Sequence, residues 1–251
     1  MHNKPWEAIF KEYRINEHNF DESPFNISAE EIKEVSRHFG TTGDREVRVL
    51  CKQDTREDRP DVFKEKELFI LPIKNKFYTI IKGEGYVDIP QVTETPITYK
   101  SKLDFKLDTS KIGDSEMQHI DFAYASSLIR NFMDDESLVL TIRGRKYTPE
   151  FSFFVDKHKI TAKSVQTEVD AGYEGKEQVI LIEAKRPGVS NTIIRQLYYP
   201  YRQWQEHTSK KVIPVFFEKD ENEYFIWEFE FKNIENYNSI SLVRSAKFVI
   251  S

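Results

Sequence analysis

Apolar residues recur along this chain with the two periods that separate strands from helices. The run VILIEAK, residues 179–185, stays apolar until it ends in a carboxylate and an ammonium. Alternation across a strand places Val179, Leu181, Glu183 and Lys185 on one face and Ile180, Ile182 and Ala184 on the other. Residues 163–170 predict the preceding strand, which closes on Asp170 before a tight turn and carries Ser164, Gln166, Glu168 and Asp170 on one face. Residues 191–207 predict a helix with Ile193, Ile194, Leu197, Tyr201 and Trp204 inward, kinked or ended early at Pro200. KVIPVFF then reads as a buried strand and EYFIWEFEF as its hairpin partner.

Upstream, YKSKLDFKLD alternates Leu103, Phe105 and Leu107 with charged residues, the mark of a half-buried strand. Ser115 and Gln118 form a capping pattern that opens a helix bearing Met117, Ile120, Tyr124 and Leu128 on one face. SLVLTIRGRK and FSFFVD suggest a hairpin near Gly144 and Tyr147. Residues 1–98 read as a separate module from residues 99–251. In the first, Ser28 and Glu31 make a capping box ahead of Ile32, Val35 and Phe39, with a stop at Gly40. DREVRVLCKQD fits helix or strand, and ELFILPIKNKFYTIIKG predicts a hairpin turning near Asn75. This order of elements suits a small winged-helix unit that reads DNA, or equally an α+β extension packed on the rest.

Composition narrows the class. With 251 residues, 39% hydrophobic and 31% charged, the chain can bury a large core. Its apolar runs are strand-sized and its start lacks an apolar leader, so neither a membrane span nor a signal peptide is expected. A single cysteine, Cys51, leaves no internal disulfide and no cysteine-based zinc cluster, and suits a reducing cytoplasm. The histidines lack zinc-ligand spacing, and phosphate-loop, dinucleotide and serine-nucleophile motifs are missing. A net charge of −5 does not exclude nucleic acid, because local potential decides binding. Arg186, Arg195, Arg202, Lys210 and Lys211 follow the apolar strand with Glu206 as the one acid among them, and Arg143, Arg145 and Lys146 form a second cluster.

The chemistry centres on Asp170, Glu183 and Lys185. Charges at the end of so apolar a strand are expensive unless they bind something, and carboxylates suit a hard divalent cation. Either Glu168 or Asp170 lies on the right face of the leading strand, and Asp170 is nearer Glu183 across an antiparallel pair. A plain ion pair between Glu183 and Lys185, closing the sheet end, is the simpler alternative.

An acid on one strand and E-A-K on the next resembles the PD-(D/E)XK nuclease superfamily, although Val169 stands where a proline is usual. The resemblance implies a central mixed sheet flanked by helices, an α/β (α+β) fold with a restriction-endonuclease-like core. It implies Mg²⁺, with Mn²⁺ as a substitute, held by Asp170, Glu183 and the Ala184 carbonyl, with Glu168 and Glu116 as further candidates. Gln196 does not complete the Q-x-x-x-Y pattern of one nuclease branch, because Pro200 holds the fifth position. The stretches REVRVLCKQD, RPDVFKEKELFILPI, GDSEMQHIDFAY, VDAGYEG, LIEAK, IRQLYYPYR and YNSISLV are similar to a group of type II restriction endonucleases. That similarity implies cleavage of double-stranded DNA to 5′-phosphate and 3′-hydroxyl ends, a companion methyltransferase and a homodimer as one arrangement. DNA contacts are then expected first from Arg195, Arg202 and the Arg45 to Arg48 segment, and next from Gln196, Arg186, Arg143 and Arg145. A repair or junction-resolving nuclease, or a non-cleaving regulator with a relict core, are the rival readings.

Overall fold

The N-terminal third builds its core from aromatic rings that short helices hold against a small sheet. A computed structural model describes residues 2–109, 113 and 115–251. It begins with α1 (Asn3–Glu12), β1 (Phe25–Ser28) and α2 (Ala29–Ser36), followed by α3 (Thr42–Arg45), α4 (Val47–Leu50) and α5 (Asp61–Glu65). The expected hairpin follows as β2 (Leu68–Lys74) and β3 (Phe77–Lys82), and the sheet order is β1-β3-β2. Ser28 caps α2 with the reciprocal Glu31 bonds that the sequence predicts. The ambiguous DREVRVLCKQD segment folds as α3 and α4, started by the Thr41 cap on the Asp44 N–H. Trp6, Phe10 and Phe63 meet edge to face at the centre of this module.

The remainder is organised around a seven-stranded mixed sheet. In chain order come β4 (Tyr86–Asp88), β5 (Ile97–Tyr99), α6 (Glu116–Ala125), α7 (Leu128–Met133), β6 (Val139–Tyr147), β7 (Phe151–Val155) and β8 (His158–Ala162). They continue as β9 (Gln166–Glu174), β10 (Gln178–Lys185), β11 (Asn191–Ile193), α8 (Arg195–Gln205), β12 (Lys211–Asp220), β13 (Glu223–Phe231) and β14 (Ile240–Ile250). The large sheet runs β5-β14-β13-β12-β10-β9-β6. β10 and β12 are parallel and joined by a crossover that contains α8, whereas β9 and β10 form an antiparallel pair. Alternation along β10 is as predicted. Ile180, Ile182 and Ala184 join Ile120, Ala123 and Leu128 of the α6–α7 layer, while Val179 and Leu181 pack with Tyr201 and Trp204 of α8.

Several predicted elements fold otherwise. Of the YKSKLDFKLD segment Tyr99 alone lies in a strand, and Phe105 is 62% exposed, because among the described residues no neighbouring strand receives that alternation. Gly144 makes no hairpin. β6 runs through it and pairs with β9, while β7 turns onto β8. β9 continues past Asp170 to Glu174, so the turn lies at residues 175–177 and Asp170 is inside the strand. Residues 191–193 form β11 against β4, and α8 runs through Pro200 to Gln205.

The two parts of the chain are closely joined. Phe69, Leu71 and Ile81 of the hairpin share one core with Phe153, Tyr198, Tyr199 and Tyr237. The Tyr199 hydroxyl donates to the Pro72 carbonyl at 3.0 Å. Among the described residues no helix is long and apolar enough to cross a membrane.

Candidate active site

β9 and β10 splay at the place where the acids stand. Their pairing ends at Ile182 opposite Ala171, so one step further sets Glu183 opposite Asp170. There the ladder gives way to a side chain, because the Ala184 N–H donates to Asp170 Oδ2 at 2.8 Å. A strand residue's N–H and C=O leave by the same edge, so the Ala184 carbonyl also opens toward Asp170.

Asp170 also stands at a break in the alternation of β9. Val169 packs on the α8 side with Leu181, and the Thr167 hydroxyl bonds Gln203 of α8 at 2.6 Å. Ala171 and Tyr173 lie on the opposite, α6 side. The β6–β9 register slips across this point, between Ile142 paired to Gly172 and Gly144 paired to Val169. Gly144 has φ +75°, a conformation that suits glycine. A bulge of this kind re-aims one side chain, here the carboxylate that points to β10. It also corrects the expectation that Glu168 and Asp170 share a face. Glu168 is turned to Arg145 at 3.2 Å.

Electrostatics at the strand end are those of two carboxylates sharing one ammonium. Lys185 Nζ donates to Glu183 Oε1, and the two side chains are 22% and 11% exposed. Burial pushes the Glu183 carboxyl up to about 7; Lys185 pulls it down, while Asp170 and Asp54 push it further up. Burial likewise raises Asp170, opposed by the Ala184 N–H and Lys185 and aided by Glu116 and Glu168. Burial works against the Lys185 ammonium, yet the fields of Glu183, Asp54 and Asp170 outweigh it and its pKa is raised.

These groups line one cleft of about 500 Å³ whose other wall is the N-terminal module. Arg48, Lys52, Asp54, Lys74, Asn75, Lys76 and Tyr78 come from that side; Glu116, Glu168, Arg195 and Gln196 complete the core side. Among the described residues neither Arg48 nor Arg195 forms an ion pair, and Lys74 lies 6.0 Å from the Phe77 ring centre. Gln196 is held by the Thr192 hydroxyl at 2.9 Å.

Among the described residues no three His, Cys, Asp or Glu side chains converge closely enough to hold a metal by themselves. The donor set here is two carboxylates and a main-chain carbonyl. It consists of hard oxygens, carries one negative charge more than Lys185 offsets, and is desolvated. These properties fit Mg²⁺ or Mn²⁺.

The other predicted contacts divide. Arg202 is not a surface cation. It is 6% exposed and donates to the Ser152 and Ile234 carbonyls and the Tyr198 hydroxyl, with its guanidinium over the Phe151 ring. Tyr198 and Tyr199 beside it are core residues. Arg143 is tied to Asp121 and to the Asp170 carbonyl, where it braces the bulge. Arg145 pairs with Glu168, and Arg45 and Arg186 are exposed outside the cleft. Sequence reasoning missed Asp54, Lys52 and the hairpin tip from Lys74 to Lys76. No local spacing marks Asp54 in the sequence.

The fold is thus a mixed α+β protein in which an N-terminal helical and three-stranded unit roofs the carboxyl end of β10. Residues 81–249 match the family model described as Domain of unknown function (DUF6997), more than half of the chain, which therefore belongs to that family. Residues 3–80 match the model described as Domain of unknown function (DUF6996). No curated protein and no solved structure matches the chain.

Proposed function

We propose that this protein is a divalent-cation-dependent deoxyribonuclease with a PD-(D/E)XK-type centre, a type II restriction endonuclease that cuts double-stranded DNA. The observation that carries this reading is the convergence of Asp170, Glu183, Ala184 and Lys185 at the splayed end of β9 and β10, in a cleft that Arg48, Lys74 and Arg195 also line. An ion pair that merely closed a sheet end would not need a second, half-buried carboxylate re-aimed onto the strand end by a bulge.

In this reading Asp170, Glu183 and the Ala184 carbonyl hold Mg²⁺, for which Mn²⁺ can substitute. Bound there, the ion supplies a Lewis acid for the phosphate and lowers the pKa of an attacking water. Lys185 orients that water and offsets the negative charge that grows on the phosphate. The water oxygen would bond to phosphorus as the bond to the 3′ oxygen breaks; the attacking water gives up a proton to solvent and the departing 3′ oxygen takes one from another water, leaving 5′-phosphate and 3′-hydroxyl ends. Arg48, Lys74 and Arg195 grip neighbouring phosphates, which carry most of the affinity without reading sequence. The order helix, strand, helices, hairpin and the β1-β3-β2 sheet favour a winged-helix-like role for the first module, with its hairpin tip in the cleft. A second copy and a companion methyltransferase are the partners that this role implies.

The test is to incubate the purified protein with phage DNA and Mg²⁺ and to sequence the fragment ends. Discrete ends at one short site are expected. Structure-dependent nicking of branched DNA would assign the same centre to repair or junction resolution. DNA left whole in both Mg²⁺ and Mn²⁺ would falsify the nuclease reading.

A further inference from the structure

We propose that Asp54 is a positioning residue for Lys185: when a cation takes the Glu183 carboxylate, the ammonium passes from Glu183 to Asp54. This rests on the nuclease reading above. Lys185 Nζ is bonded to Glu183 Oε1, the same carboxylate that the cation requires. One carboxylate cannot serve both at full strength, and an ammonium left bare beside a divalent ion would repel it. Lys185 therefore needs a second acid within reach of its flexible stem. Asp170 does not fill that role, since it is the other expected ligand and already accepts the Ala184 N–H.

Asp54 meets the requirements. It lines the same cleft from the opposite wall, and its side chain is only 14% exposed. Among the described residues its ion-pair partner is Lys52, at 3.4 Å and 69% exposed, a contact that costs little to give up. Its place is fixed by main-chain bonds to the segment that follows β10. The Ile193 N–H donates to the Asp54 carbonyl at 2.8 Å. On either side of it, the Tyr86 hydroxyl donates to the Gln53 carbonyl at 3.1 Å and the Arg56 N–H to Asn191 Oδ1 at 2.7 Å. A third acid facing Asp170 and Glu183 is unfavourable in the empty site, and its field acts on both Glu183 and Lys185. The arrangement gains a purpose once Lys185 must change partner. It would also make the catalytic centre incomplete without the first module.

Calorimetric titration of Mn²⁺ into the wild type, Asp54→Asn, Lys185→Ala and the double variant tests this, because the cycle isolates the coupling. Asp54→Asn is expected to weaken Mn²⁺ about tenfold, Asp54→Glu to restore it, and Asp54→Asn to have little effect in the Lys185→Ala background. Unchanged affinity in Asp54→Asn overturns the proposal. So does a loss that persists in full without Lys185, since Asp54 would then act on the ion directly. A crystal structure of the wild type with Ca²⁺ gives a second readout that needs no variant. Lys185 Nζ should lie within about 4 Å of the Asp54 carboxylate, and an ammonium still on Glu183 overturns the exchange. Wild-type protein that takes up no Mn²⁺ overturns the nuclease reading itself, a separable result.

Discussion

The two walls of the cleft hold charge in opposite ways. On the core wall Asp170, Glu183 and Lys185 are shielded from water and bonded to the backbone or to one another; burial raises the pKa of both acids, and their fields raise that of Lys185 against burial. On the N-terminal wall Arg48, Lys74 and Lys76 are exposed, and Lys76 pairs with the exposed Glu30. In the nuclease reading proposed here, chemistry needs groups fixed and stripped of water, and a bulge and a splayed strand pair would serve that need. Holding a phosphate chain needs only reach and positive sign, which exposed side chains on a hairpin tip supply. The comparison predicts that the core wall fails abruptly and the N-terminal wall by degrees.

The largest effect should therefore come from the core wall. Lys185→Ala or Asp170→Asn is expected to lower the cutting rate by about 10³-fold or more while DNA binding in Ca²⁺ stays near the wild-type level. Lys185→Ala cutting at the parental rate would remove the catalytic assignment.

Next in size is a test of what separates Arg195 from Arg202 on one helix. Arg195 faces the cleft, whereas Arg202 satisfies two carbonyls and a hydroxyl inside the core. Arg202→Ala removes the guanidinium bond to the Ser152 carbonyl, leaves the Ile234 carbonyl with the Tyr198 hydroxyl alone and opens a buried cavity, at a cost of about 3 kcal/mol read by denaturant unfolding. Arg195→Ala should leave stability within about 0.5 kcal/mol and weaken DNA binding instead. Equal effects on stability would erase the distinction.

The N-terminal wall comes third. Arg48→Glu and Lys74→Glu are each expected to weaken DNA binding about tenfold and to lower the salt-dependence slope by about one. Melting temperatures should hold, because both side chains are exposed. Binding that is unchanged in the double variant would place the DNA elsewhere.

Legibility in the sequence followed the range of the interactions. The faces of β10 were readable because a buried strand shows its alternation residue by residue, and E-A-K ends it within that same window. The position of Asp170 one step beyond the last β9–β10 pair, opposite Glu183, was readable because antiparallel register follows from the turn, even though the turn lies further on than expected. The bulge was not readable: Gly144 looks like a hairpin turn until β6 is known to pair with β9. Arg202 looks like a surface cation until Ser152 and Ile234, remote in sequence, supply its acceptors. Asp54 lines the cleft through bonds to residues remote in sequence, the Ile193 N–H on its own carbonyl among them. A carboxylate recruited across a module boundary leaves no local spacing to detect.

The smallest expected effect sharpens the comparison most, because it measures the cost of the core wall. The folded-state pKa of Glu183 is about 7, against an ordinary 4.5. Between those values the folded protein holds a proton that the unfolded chain has lost. Stability therefore rises as pH falls through this window and is lowest above 7, at about 1.4 kcal/mol per pH unit for each proton so held. Glu218, also raised to about 7 by burial and only partly held down by the N–H groups of Gly188 and Val189, contributes in the same direction. Glu183→Gln should make the slope shallower without abolishing it. Lys185 is not orphaned in that variant, since Asp170 and Asp54 still act on it. Without cation at pH 8 the variant should thus melt about 2–4 °C higher than the wild type. With Mg²⁺ in excess the order should invert, because only the wild type gains stability from binding. A variant that melts lower in both conditions would mean that Glu183 and Lys185 form a stabilising pair, and the core wall would then be a piece of architecture with no strain held in reserve for an ion.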